Sequence, residues 1–206
     1  LARVDYDSRR GEQGPGAVND MLGKLDSGLQ TARTLIEQPA DIAMVDQQLA
    51  AVAEYKRAFA DMIQATTHRE DARSKLGANA DKAVAKVSEV EKGLLQGDSV
   101  AQFNSVVDLS KLLQQARYQV RGYTYSGKAD AEQPALDAIE NALKSLESLP
   151  SKLPEQFTAN LQQAAESMKA YRAAVGQFRD AQTASGNAVA RMAAQGDILL
   201  DASNKL

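Results

Sequence analysis

Residues 41–96 read DIAMVDQQLAAVAEYKRAFADMIQATTHREDARSKLGANADKAVAKVSEVEKGLLQ, with no proline and only Gly77 and Gly93 to weaken a helix. Each internal glycine costs about 1 kcal/mol relative to alanine, which a run of this length absorbs. At 1.5 Å per residue the segment makes one helix of about 80 Å, a length that cannot fold into a compact globule. The stretch therefore predicts an elongated, helical protein. Pro39 ends the connection that precedes it, and Asp41 is the expected N-cap.

Working outward, Gly97-Asp98-Ser99 reads as a turn and a helix cap, and the next helix runs from about Ser99 to Ser126, where Gly127 ends it. Pro134 stands near the start of a further helix, closed by Leu149-Pro150-Ser151-Lys152-Leu153-Pro154. A second long helix then runs from about Pro154 to Leu206. Its Gly176, Gly186 and Gly196 either admit a close helix neighbour or simply lower its rigidity. Upstream, Ala17 to Glu37 carries Met21, Leu22, Leu25, Leu29, Ala32 and Ile36 on one stripe. Leu1 to about Arg10 reads as the end of a helix, stopped by Gly11 and the Gly14-Pro15-Gly16 turn.

The order is short, short, long, then short, short, long. The halves also share sequence: Pro39 and Tyr55 answer to Pro154 and Tyr171, a shift of about 116 residues. The expectation is an all-α fold of six helices, two long and four short, forming two stacked four-helix bundle modules. Both chain ends read as uncapped helix and the sequence does not begin with Met. Residues 1–206 are therefore expected to be one domain excised from a longer chain, its ends continuing into two neighbouring membrane spans.

Composition narrows the chemistry. Aromatic residues make up 5%, Trp is absent and Ala is abundant, which suits closely packed helices and not the wide core of a β-sandwich. A net charge of -3 offers no basic field for nucleic acid. With no Cys and one His, there is no thiolate chemistry and no multi-histidine metal site. No metal or cofactor is expected, and no nucleotide-binding or metalloprotease motif is present. His68 lies in the polar run Thr66-Thr67-His68-Arg69-Glu70-Asp71, as a solvated helix residue would. The chain is read as a binding module, not an enzyme.

The arginines carry more information. Arg117 and Arg121 are spaced i,i+4 and share a helix face within Leu112–Tyr123, a stretch without acidic residues. Two guanidinium forks so placed suit a dicarboxylate, and they equally suit interhelical ion pairs; spacing alone leaves both readings open. Arg3, with Tyr6 one turn on, is a second pair of the same style. Tyr55 and Tyr171 hold matching places on the long helices, where such rings usually stitch a core.

Ala116-Arg117-Tyr118-Gln119-Val120-Arg121-Gly122-Tyr123 resembles the helical bimodular sensor domain of bacterial methyl-accepting chemotaxis proteins. So does Ala170-Tyr171-Arg172-Ala173-Ala174-Val175-Gly176-Gln177-Phe178-Arg179-Asp180-Ala181, and Ala2-Arg3-Val4-Asp5-Tyr6 with Gly11 is similar to the family's first helix. The resemblance implies a periplasmic domain between two transmembrane helices, dimeric in its receptor, that recognises small organic acids: di- and tricarboxylates, and acetate. By the same resemblance Arg3 and Arg117 belong to an arginine site in the membrane-proximal module, with Arg121 beside them, and Tyr171 belongs to the distal module. An arginine of the family's last helix falls at Val189, with Arg191 two residues on as its substitute. Two alternatives keep the fold: the sensor of a histidine kinase, and a structural or protein-interaction bundle.

Overall fold

A computed structural model describes residues 14–205 of the chain. Among these residues the regular structure is entirely helical: α1 (Pro15–Leu35), α2 (Pro39–Leu95), α3 (Val100–Ser126), α4 (Glu132–Ser148) and α5 (Thr158–Lys205). Short 3-10 turns at Ala129–Ala131, Leu149–Lys152 and Glu155–Phe157 link the last three. The all-α class is as expected, with five helices among the described residues where six were anticipated. The helix end anticipated over Leu1–Arg10 lies outside the described residues.

Local chemistry sets the boundaries. Ser99 caps α3, its side chain accepting from the Gln102 backbone N–H at 3.2 Å. Gly127 ends α3 in the left-handed region at φ 64°, where its N–H reaches the Tyr123 carbonyl; it is the one described residue with such a φ, and a side chain there would be strained. Two expectations need correction. The first long helix starts at Pro39, so Asp41 stands in its first turn and is not the cap; proline is preorganised for that opening position. The second starts at Thr158, because Leu153 is extended and Glu155–Phe157 forms a 3-10 turn.

The chain divides into two compact units. One comprises Thr66–Gln182; the other comprises the chain up to Ala65 together with Thr183 onward.

The Thr66–Gln182 unit is a four-helix bundle. On α2, Ala72, Leu76, Ala80, Ala83, Val87, Val90 and Leu94 are buried at steps of three or four residues. On α3, Val106, Leu109, Leu113, Ala116, Val120 and Tyr123 follow the same rhythm, as coiled-coil seams do. α4 adds Ile139, Leu143 and Leu146, and α5 adds Leu161, Met168, Val175 and Phe178. Alanines between the larger side chains let the helices pack closely. At Gly93 the Phe157 ring occupies the space a Cβ would need.

In the other unit, α1 and the outer parts of α2 and α5 share a smaller core of Val18, Leu22, Val52, Phe59, Met62 and Met192. The stripe anticipated on α1 is only partly buried. Leu22 is buried, but Met21 and Leu25 are exposed and Val18 takes the inner position. Gly186 and Gly196 have open space where a Cβ would stand, so neither admits a close helix neighbour.

Candidate functional site

The inner face of α3 is fixed by Leu113, Ala116, Val120 and Tyr123. That burial brings Arg117 and Arg121 out on either side of Val120, at the seam with α2. Opposite them on α2, Arg73, Leu76, Gly77 and Ala80 complete the walls of a cavity of about 250 Å³, and Tyr171 of α5 reaches the same space. The volume lies just below the roughly 300–1,000 Å³ typical of drug-sized ligands, as befits a small metabolite. Leu76, Ala80 and Val120 form its apolar part, and Thr124 and Tyr125 join the arginines on the polar side. No carboxylate is among the described lining residues.

The three guanidinium groups differ in how far they are already satisfied. Arg73 donates to the Thr124 carbonyl at 3.0 Å and to Glu70 at 3.1 Å, and lies 5.4 Å over the Phe178 ring. Arg117 donates to Asp81 at 3.0 Å, so the ion-pair reading of the sequence holds for this residue. Arg121 has no side-chain hydrogen bond or ion pair among the described residues, so its five donors are uncommitted at the cavity it lines.

Tyr171 is the other unfilled group. It is only 3% exposed, and its hydroxyl finds no hydrogen-bond partner among the described residues. Burial pushes its phenol up to about 12, while the positive charges of Arg117 and Arg121 pull in the opposite direction. The Tyr171 ring is buried while its hydroxyl, not among the fully buried polar atoms, stands beside two guanidinium groups in a cavity lined by no acid among the described residues.

The other candidates lie elsewhere. Arg191 belongs to the second unit, where it donates to Glu54 at 2.8 Å and to Asp61 at 2.5 Å. Glu54 also takes Arg57, and these two hydrogen-bonded cations hold its carboxyl below the usual range. Val189 packs against that unit's apolar core, as does Tyr55, the repeat mate of Tyr171. Arg3 and Tyr6 lie outside the described residues. His68 is exposed, and among the described residues no group of three or more His, Cys, Asp or Glu is placed to hold a metal.

The resemblance assigned Arg117 and Tyr171 to different modules, whereas both belong to the Thr66–Gln182 unit and line one cavity. The sequence reading missed Arg73. It carries the same signal as Arg117 and Arg121, a partner four residues away at Arg69, but Glu70 and Asp71 between them suggested neutralised surface charge.

Residues 1–206 match the family model of the helical bimodular sensor domain. The chain belongs to this family. Over 206 residues it is 47% identical to the methyl-accepting chemotaxis protein McpQ of Pseudomonas putida, which covers 100% of this chain and 32% of that protein. It is 30% identical over 168 residues to the methyl-accepting chemotaxis protein McpK of Pseudomonas aeruginosa, covering 77% and 26% of the two chains. McpS of Pseudomonas putida, a third methyl-accepting chemotaxis protein, is 30% identical over 180 residues, covering 84% and 28%. The chain thus spans at most about a third of the length of these relatives. Among the described residues, no helix is long and apolar enough to cross a membrane.

Proposed function

We propose that this domain is the ligand-binding part of a transmembrane chemoreceptor, and that its ligands are small organic acids: di- or tricarboxylates, and also the monocarboxylate acetate. The observation that carries the reading is the cavity between α2 and α3, where an uncommitted Arg121, a half-buried Arg117 and the unpartnered hydroxyl of Tyr171 converge with no acid between them. A carboxylate accepts two parallel N–H bonds from one guanidinium and still has lone pairs for a phenol. Similarity to three chemotaxis receptors supports a place in the periplasm, between flanking transmembrane helices and in a homodimer.

Binding at this cavity would engage three helices at once. Output requires that the ligand favour one helix arrangement over another, because equal affinity for both shifts nothing. α5 is the natural carrier. It supplies Tyr171 to the cavity and runs without a break to Lys205.

The test is a thermal-shift screen with acetate, succinate and citrate as mono-, di- and tricarboxylate probes, followed by calorimetry. A saturable shift that is lost in Arg121→Ala and weakened in Tyr171→Phe supports the reading. Binding of any of the three that survives both substitutions removes the cavity from consideration.

A further inference from the structure

We infer that Asp81 is a tethered competitor for the Arg117 guanidinium and sets the affinity of the acid site from outside its cavity. This rests on the organic-acid reading above. Asp81 follows Ala80, which lines the cavity, but is not itself a lining residue. Its carboxylate crosses from α2 to α3 and takes one N–H of Arg117, Nη2, at 3.0 Å. The two partners are unequally placed: the Arg117 side chain is 21% exposed and that of Asp81 73%. A carboxylate so exposed is already largely hydrated and gains further water when it lets go, so its release costs little.

Among the described residues Arg117 has no other side-chain partner, and Arg121, one turn away, has none. A ligand carboxylate entering between them meets one fork free and one partly occupied. Asp81 holds one of the five N–H groups of Arg117 and part of its charge, so a ligand carboxylate shares the guanidinium with it or displaces it. The chain thus carries its own low-affinity substitute for the ligand at that fork. Occupancy by a real ligand would displace it and undo an α2–α3 tie at the cavity edge.

The opposite role is physically possible: Asp81 could position Arg117 for the ligand. The two roles predict opposite signs. Asp81→Asn keeps the size and a hydrogen-bond acceptor while removing the charge. If Asp81 competes, the variant binds about two- to fivefold tighter, the range expected when an exposed ion pair is relieved. Asp71→Asn is the companion variant. It removes the same charge from the same helix, where Asp71 pairs with Lys75 and not with a cavity arginine.

Calorimetry would be run on the whole domain with succinate, citrate and acetate at constant ionic strength, after circular dichroism has verified the fold of each variant. Tightening in Asp81→Asn with less than about half that gain in Asp71→Asn supports the inference. Weaker or unchanged binding in Asp81→Asn overturns it and leaves the acid site standing. Equal tightening in both variants also overturns it, because the effect is then a long-range field. Failure of the unsubstituted domain to bind any of the three acids removes the site itself, and the inference with it.

Discussion

The two units surround their arginines with opposite chemistry. In the Thr66–Gln182 unit, Arg121 has no acid partner among the described residues and Arg117 has one, the exposed Asp81. In the other unit Arg191 is held between Glu54 and Asp61, and Arg33 by Asp46 at 2.5 Å. The repeat tyrosines diverge in parallel: Tyr171, a buried residue, lines a cavity, while Tyr55 packs partly buried against the core. Repetition of the backbone pattern therefore does not repeat the site. Whether an arginine can serve a ligand depends on the acids within reach, which the other helices supply.

The largest effect that tests this contrast is on binding. Arg121→Ala should lower affinity for an organic acid about 10- to 100-fold, the loss of one charge-assisted interaction of about 1.5–3 kcal/mol. Arg191→Ala should leave affinity within twofold, since Glu54 and Asp61 already hold its guanidinium. Calorimetry on the two variants decides it. A greater loss in Arg191→Ala would reverse the assignment of the site to the Thr66–Gln182 unit.

Alkali should act next most strongly, and through the bundle that carries the cavity. Burial pushes the phenols of Tyr123 and Tyr171 to about 12, and for Tyr123 the hydrogen bond to Glu132 adds to the shift. From about pH 10 to 12 the unfolded chain has lost protons that the folded chain keeps. Stability therefore falls as pH rises through that window, and is fully present below it. Each phenol contributes a slope of up to about 1.4 kcal/mol per pH unit. Thermal unfolding followed across pH 9–12 should show this fall, and Tyr171→Phe should make it shallower. An unchanged slope would mean the phenol is not desolvated.

Much of the fold was legible because helix signals are local. Gly127 and Ser99 mark their ends by backbone conformation and a side-chain cap, and the unbroken run to Gln96 predicts α2 to within two residues at each end. The misreadings arise where the outcome depends on partners. Val18 replaces Met21 and Leu25 on the inner face of α1, which helical periodicity alone does not decide. Arg117 and Arg121 were legible as candidates from their spacing and acid-poor surroundings, whereas Tyr171 read as a core ring and became a candidate only through the family resemblance. Arg73 was not, because its sequence neighbour Glu70 is acidic, yet its guanidinium reaches across to Thr124 on α3. The Asp81–Arg117 tie joins residues far apart in the chain and left no local trace.

Packing separates the units at their glycines. Gly93→Ala would drive a methyl into the buried Phe157 ring; overpacking of about 1–3 kcal/mol outweighs the roughly 1 kcal/mol gained in helix propensity. Gly186→Ala meets open space on α5 and should stabilise by about 0.5–1 kcal/mol. Melting temperatures of the two variants should move in opposite directions. If Gly93→Ala raised the melting temperature, the close approach of Phe157 would be wrong.

The smallest effect is expected at acid pH, in the unit with the paired arginines. Arg191 first, and Arg57 after it, hold the Glu54 carboxyl below its usual range, and Arg33 does the same for Asp46. Stability from these pairs is present above the ordinary carboxylate values and is lost as pH falls through the lowered ones. Both pairs are open to solvent, so screening keeps the contribution small and makes it weaker still in high salt. Arg191→Ala should therefore flatten the acid limb of a melting-temperature profile below about pH 5 while leaving the alkaline limb intact. Tyr171→Phe should do the reverse. A shift of both limbs by either substitution would show that the two units unfold as one, so that their opposite surroundings no longer act separately on stability.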